Sequence, residues 1–246
     1  MSLPVFHHPE LSGVVEGGSV ELTGDEARHA VVVRRIRVGE RVALTDGAGT
    51  TVVATVAATT KSSLTGTVCE VTRVPGESPR LVVVQAIPKG DRGELAVEML
   101  TEVGVDLIVP WAASRSVAVW RGERAAKSLA KWRSTAREAA KQSRRSWFPS
   151  VAEPASTSDV VVLLRDAAMA VVLHEAGTMP LAGLEVPAEG DVVVVVGPEG
   201  GISHEELEAF AAVGAEPLRL GRSVLRTSTA GVAAAAALLS RTRRWA

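Results

Sequence analysis

Two stretches of the chain are apolar at nearly every position, Leu81–Ile87 (LVVVQAI) and Val192–Val196 within DVVVVV. A strand with one wet face alternates apolar and polar residues, so unbroken runs like these belong to strands covered on both faces. Beyond the first run, Glu94–Val103 repeats apolar residues at helical spacing, which puts Leu95, Met99, Leu100 and Val103 on one stripe ending at Gly104. The alternation continues with a strand at Val105–Pro110, a basic helical region from about Arg121 to Ser143, a short helix near Asp159–Ala167 and strands at Ala170–His174 and Asp191–Val196. A helix from His204, a strand at Glu216–Leu220 and a last helix from about Thr229 complete it. Strands alternating with helices predict an α/β domain, a parallel sheet with helices on both faces.

The first part of the chain has a different rhythm. Ser19–Leu22, Arg41–Thr45, Thr51–Ala57 and Ser63–Val71 are short, rich in Val, Thr and Leu, and separated by Gly- or Asp-bearing turns such as DGAGT. They predict a small all-β unit, a barrel. One short helix is expected within it, begun by a cap at Thr23 with Glu26 three residues on. Its basic end offers Arg34, Arg35 and Arg37, either as a solvated helix end or as an RNA contact. VPGESPR, Val74–Arg80, reads as the linker, which divides the chain into 1–74 and 75–246.

Composition adds the setting. With 246 residues, 46% of them hydrophobic, the chain can bury a sizeable core. Cys69 is the only cysteine, the N-terminal MSLPVFHHPE has no secretory pattern, and no apolar run approaches the ~20 residues that span a bilayer, so a cytoplasmic protein without membrane contact is expected. The net charge of −1 conceals a local excess, because Arg115–Trp147 holds ten Lys/Arg against Glu123 and Glu138. Trp111, Trp120, Trp132 and Trp147 lie in or beside that stretch, either as core anchors or as faces for unstacked bases.

Ligands of open α/β sheets sit beyond the carboxyl ends of the strands. Three such ends stand out: VLHEAG at Val172–Gly177, VGPEGGIS at Val196–Ser203, and LRLGRSVLRTSTAG at Leu218–Gly231. In the second, Ser203 and Glu206 have the spacing of a capping box, so a helix starts just after the glycines. The loop has no P-loop lysine and no G-x-G-x-x-G. Glu199 would repel a phosphate, whereas Gly197, Gly200 and Gly201 let backbone approach a flat neutral or cationic group. An adenine ring and a sulfonium fit that description, and S-adenosylmethionine carries both without a phosphate. The third loop brings Leu220 and Gly221, apolar Val224 and Leu225, and then Arg226 with Thr227, Ser228 and Thr229 at a helix entry.

GPEGG followed about twenty residues later by LGRSVLRTSTA resembles the RsmE-type methyltransferases of the SPOUT superfamily, and FHHPE, RHAVVVRRIRVGE, IPKGDRGELAVEMLTEVGVDLIVP and KQSRRSWFP follow that family's order over nearly the whole chain. The resemblance implies a PUA-like β-barrel for RNA at 1–74 and a SPOUT methyltransferase domain with a trefoil knot at 75–246. It also implies a homodimer and S-adenosylmethionine-dependent methylation of N3 of one uridine in 16S ribosomal RNA, free or in the small ribosomal subunit. The expected cofactor pocket is Leu173, His174, Gly197, Pro198, Glu199, Gly200, Gly201, Leu220, Gly221, Val224, Leu225, Arg226 and Thr227. Arg226 is the candidate catalytic group, stabilising negative charge on the uracil. The candidate RNA contacts are Lys89, Arg92, Arg144 and Arg145, with Arg34, Arg35 and Arg37. Many members carry an acid where this chain has Ser228 and Lys141, so no general base is assigned. His7, His8, His29, His174 and His204 lack metal spacing with Cys69, and no metal is expected. His29 should pack at the small helix, and His204 should be a first-turn surface residue. The rival readings are another SPOUT enzyme, acting on transfer RNA or on 2′-hydroxyls, and an RNA-binding module without activity.

Overall fold

The computed structural model describes residues 3–215 and 217–245. The chain forms two compact units: Met1–Gly76 with Ala140–Phe148, and Glu77–Ala139 with Pro149–Ala246. The boundary at Gly76/Glu77 falls inside the expected linker, and the first unit also takes back a later segment that carries KQSRR.

In the first unit, β1 (Val5–His7), β2 (Ser19–Thr23), β3 (Arg41–Thr45), β4 (Thr50–Thr59) and β5 (Ser63–Arg73) form one sheet in the order β1-β3-β4-β5-β2. The pairing is mixed, since β1 runs parallel to β3 and the other pairs are antiparallel. The expected barrel is a curled sheet whose end strands are joined by a side chain, His8 Nε2 lying 3.0 Å from the Glu21 carbonyl oxygen. Its interior is Phe6, Leu22, Val42, Leu44, Val52, Ala54, Leu64 and neighbours, the alternate positions of each strand.

The small helix α1 (Gly24–Arg28) follows β2 directly and continues as a π-helical turn, His29–Val33. The cap expected from Thr23 and Glu26 does not form, because Thr23 makes no side-chain cap bond. Glu26 is used elsewhere: one oxygen accepts from the His7 N–H at 3.1 Å, and the other from Lys141 Nζ at 2.7 Å. Lys141 is buried, its side chain only 3% exposed, so this pair pins Ala140–Phe148 to the β unit. His29 packs edge-on to Phe6, as expected.

In the second unit, β6 (Arg80–Ala86), β7 (Leu107–Trp111), β8 (Ser150–Val151), β9 (Met169–Leu173), β10 (Met179–Pro180), β11 (Asp191–Val196) and β12 (Pro217–Arg219) form a parallel sheet in the order β10-β12-β9-β11-β6-β7-β8. Of the expected strand Glu216–Leu220, Glu216 lies outside the described residues.

The apolar runs are explained by the two cores. Leu81, Val83, Val192, Val194 and Val196 point to one face, Val82, Val84, Val193 and Val195 to the other, and all are buried. Helices α2 (Arg92–Val103), α3 (Gly122–Gln142) and α6 (Thr227–Leu239) contribute to the first core, and α4 (Thr157–Asp166) and α5 (His204–Ala211) to the second.

One detail of these helices departs from the pattern expected of the sequence. The buried face of α2 is Gly93, Ala96, Val97, Leu100 and Thr101, while Leu95 is 46% exposed and Met99 and Val103 only half-buried. Small residues face inward because the neighbours come close. A Cβ on Gly93 would stand 2.7 Å from the Trp132 ring, and one on Gly231 of α6 would stand 3.2 Å from Leu100. Gly104 ends α2 in the left-handed region at φ 109°, as its position suggested. Trp111 and Trp132 are core residues, packed against Phe210 and Trp120 respectively, so neither offers a face to a base.

Candidate active site

Beyond the carboxyl ends of β9, β11 and β12 lies a cleft of about 830 Å³ within the second unit. Three loops line it: Leu173–Glu175 after β9, Val196–Ile202 after β11, and Arg219–Thr227 between β12 and α6, together with Arg92 and Arg115. The glycine-rich loop and the RTSTA entry, far apart in sequence, are therefore two walls of one space.

The first wall is held by its own sequence and by α5. Gly201 donates to the Pro198 carbonyl at 2.9 Å and has φ 74°, a conformation that favours glycine. Ser203 and Glu206 close the expected capping box. Glu206 does more than cap. Its Oε1 also accepts from the Ser114 N–H at 2.8 Å and the Thr157 hydroxyl at 3.1 Å, which ties the loop after β7 and the start of α4 to α5. Burial pushes the Glu206 carboxyl up, but the bonds from Ser114, Ser203 and Thr157 outweigh it and hold the group below the ordinary glutamate value.

The two walls are joined by Thr227, whose Oγ1 donates to the Gly197 carbonyl at 2.9 Å and accepts from Gln85 Nε2 at 3.0 Å. Gln85, the one polar residue of the LVVVQAI run, is fully buried; its amide also donates to the Ala86 carbonyl, and its Oε1 has no partner among the described residues. Glu199 lines the cleft, but its carboxylate is engaged by the protein. Its Oε1 accepts from the Lys89 N–H at 3.3 Å and lies 3.6 Å from Arg92, which fastens the loop to the turn before α2. The β9 end is similarly tight: Gly177 donates to the His174 carbonyl, and a Cβ there would stand 2.6 Å from Leu218 backbone.

The second wall carries few such ties. Val224 is 79% exposed and Leu225 40%, and both line the cleft with the apolar Leu173 and Pro198. Arg226 caps α6 through its carbonyl, which accepts from Thr229 and Ala230, while its guanidinium has no bond among the described residues.

Comparison with known proteins gives this architecture a relationship. Residues 76–239 match the model of an RNA methyltransferase domain, and residues 22–69 match that of an RNA methyltransferase PUA domain. Ribosomal RNA small subunit methyltransferase E of Mycobacterium bovis is 42% identical over 233 residues, 93% of this chain and 89% of that protein. The chain belongs to the ribosomal RNA small subunit methyltransferase E family. The solved family member from Neisseria gonorrhoeae, bound to S-adenosyl methionine, aligns with a TM-score of 0.86 at 28% identity over 97% of this chain and 98% of its own. A methyltransferase from Legionella pneumophila, in complex with SAM, gives 0.88 at 28% over 98% and 99%.

Every pocket residue named from the sequence lines the cleft of this chain: Leu173, His174, Gly197–Gly201, Leu220, Gly221 and Val224–Thr227. Their parts differ. Thr227 and Glu199 are spent on protein contacts, and His174 Nδ1 accepts from the Ala176 N–H at 3.2 Å. Of the basic candidates, Arg92 lines the cleft and Lys89 is exposed beside Glu199, while Arg34, Arg35, Arg37, Arg144 and Arg145 belong to the first unit. Arg145, with Arg144, borders a small cavity of about 260 Å³ against Val5, Ala43, Thr45 and Thr51. Sequence reasoning did not name Arg115, Arg219, Arg222 or Gln85 at the site. Gln85 carried a signal, as a polar residue in an otherwise apolar buried run. His204 is a surface residue, as expected, paired with Glu208. Among the described residues no three His, Cys, Asp or Glu are grouped to hold a metal, and no helix is long and apolar enough to cross a membrane.

Proposed function

We propose that this cleft binds S-adenosylmethionine and that the protein methylates N3 of a specific uridine in 16S ribosomal RNA. One observation carries the reading: Gly197–Gly201 and Leu220–Thr227 meet as walls of a single cleft at the strand ends of the methyltransferase domain. The walls suit the cofactor. Leu173, Pro198, Leu220, Val224 and Leu225 offer apolar surface to an adenosyl group, and the cleft volume is in the range of small-molecule sites. Gly201 and Gly221 line the cleft with no heavy atom within 4 Å of where a Cβ would stand, so bare backbone is presented there. When bound, S-adenosylmethionine supplies a methyl group activated by the sulfonium.

The protein's own part is electrostatic and geometric. Uracil N3 carries a proton and becomes a good nucleophile once that proton is lost, so a site that favours the anion lowers the barrier. Arg226 is assigned that role, because its guanidinium is unengaged among the described residues at the cleft wall. N3 lies on the pairing edge, so the uridine is taken unpaired or flipped. The first unit serves as the PUA-like RNA-binding domain, with Arg34, Arg35, Arg37, Arg144 and Arg145 as phosphate contacts; Lys89 and Arg92 serve on the second. The further properties in this reading are a homodimer, a cytoplasmic location, no metal, and a trefoil knot.

The test is incubation of the protein with S-adenosylmethionine and unmethylated small ribosomal subunits, followed by mass mapping of the 16S RNA. Appearance of 3-methyluridine at one position supports the reading. Methylation at a 2′-hydroxyl, or none on free RNA, subunits or transfer RNA, overturns it.

A further inference from the structure

The cleft has more positive charge than its cofactor can use. Five arginines line it, Arg92, Arg115, Arg219, Arg222 and Arg226, against two acids, Glu175 and Glu199. Arg92 lies 3.6 Å from Glu199. The other four have no ion pair among the described residues. Elsewhere in the same unit Arg80, Arg133, Arg165 and Arg244 lie between 2.6 and 3.7 Å from a carboxylate. The contrast matters because the whole chain carries a net charge of −1.

S-adenosylmethionine is a net cation: its sulfonium and ammonium exceed its one carboxylate. Four guanidiniums with no carboxylate within ion-pair distance among the described residues, of which Arg115 feels a nearby acid, Glu205, are the wrong sign for such a ligand, apart from one arginine to meet the carboxylate. It is the right sign for an anion that arrives beside it. Within a concave cleft the field of like charges is focused, which draws in a polyanion. Guanidinium groups suit phosphate oxygens in particular.

Arg115 is built into this position. It sits on the loop after β7, where the Ser114 N–H is held by Glu206 and the Ser116 N–H donates to the Ala113 carbonyl. A Cβ on Gly200 would stand 2.9 Å from the Arg115 carbonyl oxygen, so the Arg115 backbone packs directly on the GPEGG loop. Arg219 and Arg222 come from the opposite wall, at the end of β12 and just beyond it.

We infer that Arg115, Arg219 and Arg222 form a phosphate-binding rim that holds the RNA backbone next to the target uridine. This rests on the reading of the cleft as the methyltransferase site. The rim receives the phosphates flanking the nucleotide, while the apolar walls are left to the adenosyl group and Arg226 to the base.

The test compares the wild type with R115A/R219A/R222A and with R115K/R219K/R222K, all as full chains. Affinity for S-adenosylmethionine is measured by calorimetry, and affinity for unmethylated small ribosomal subunits is measured as a function of KCl. In the alanine variant, cofactor affinity should stay within about two-fold, subunit affinity should fall about ten-fold or more, and the log–log salt slope should shrink by about 2, at roughly 0.7 per lost phosphate contact. The lysine variant should regain most of that slope. Loss of cofactor binding with RNA binding intact would overturn the inference, and so would two unchanged affinities. If both affinities fall in the alanine variant, recovery of the RNA salt slope by the lysine variant supports the rim, and no recovery overturns it. Failure of the wild type to bind S-adenosylmethionine at all would count against the underlying reading, and it is seen before any variant is made.

Discussion

The two walls of the cleft are built on opposite plans. The GPEGG wall is tied at several points: Thr227 to Gly197, Glu199 to Lys89 and Arg92, and Glu206 to Ser203, Ser114 and Thr157. The Leu220–Arg226 wall has exposed apolar side chains and guanidiniums with no bonds among the described residues. The difference teaches how a phosphate-free cofactor is recognised here. One side is a fixed backbone template, which loses little freedom when a ligand arrives, and the other is an apolar and cationic flap whose surface gains its partners only from ligands.

Substitutions can break this contrast in order of severity. Glu206→Ala leaves the Ser114 and Ser203 N–H groups and the Thr157 hydroxyl without their acceptor, and should cost on the order of 3 kcal/mol in denaturant unfolding together with loss of cofactor binding. Gly177→Ala forces a Cβ against Leu218 and Arg219 backbone, which cannot swing aside as a side chain could; about 2 kcal/mol is expected from the same measurement. Thr227→Val removes the bond that joins the walls, for about 1 to 2 kcal/mol, and Thr227→Ser should restore most of it. Val224→Ser with Leu225→Ser should leave stability within about 0.5 kcal/mol, since both side chains are exposed, yet weaken cofactor affinity by about three- to ten-fold in calorimetry. A stability loss equal to that of Thr227→Val would show that the second wall is as fixed as the first.

Acid sharpens the same comparison. The Glu206 carboxyl is held below its ordinary value of 4.5 in the folded protein. Its contribution is therefore complete above that value and is lost as pH falls below it, through the lower folded value. The free energy of unfolding measured across this acid range should fall more steeply with decreasing pH for the wild type than for Glu206→Gln. Equal slopes would remove Glu206 from the wall's support.

What the sequence made legible was local. The capping box of Ser203 and Glu206 is a three-residue spacing, and the runs of β6 and β11 are apolar because both faces are covered, so each could be read without knowing the fold. Long-range partners were not legible in this way. Glu26 has the spacing of a cap, yet it answers Lys141, 115 residues away. Glu199 looks like a ligand-facing acid, yet it holds the turn before α2. The stripe on α2 was misplaced because its true face is made of Gly93, Ala96 and Val97, small residues selected by the closeness of Trp132 and α6 rather than by hydrophobicity. Short strands such as β1, β8 and β10 carry too few residues for a period to show. Arg115, Arg219 and Arg222 look like ordinary surface arginines until the fold brings them round one cleft.

Hydrogen exchange of the full protein, with and without saturating S-adenosylmethionine, tests the two-wall account most directly. The account predicts strong new protection in Leu220–Arg226 and little change in Gly197–Ser203, which is already fixed. Protection confined to another part of the molecule, or none in Leu220–Arg226 despite measured binding, would contradict it.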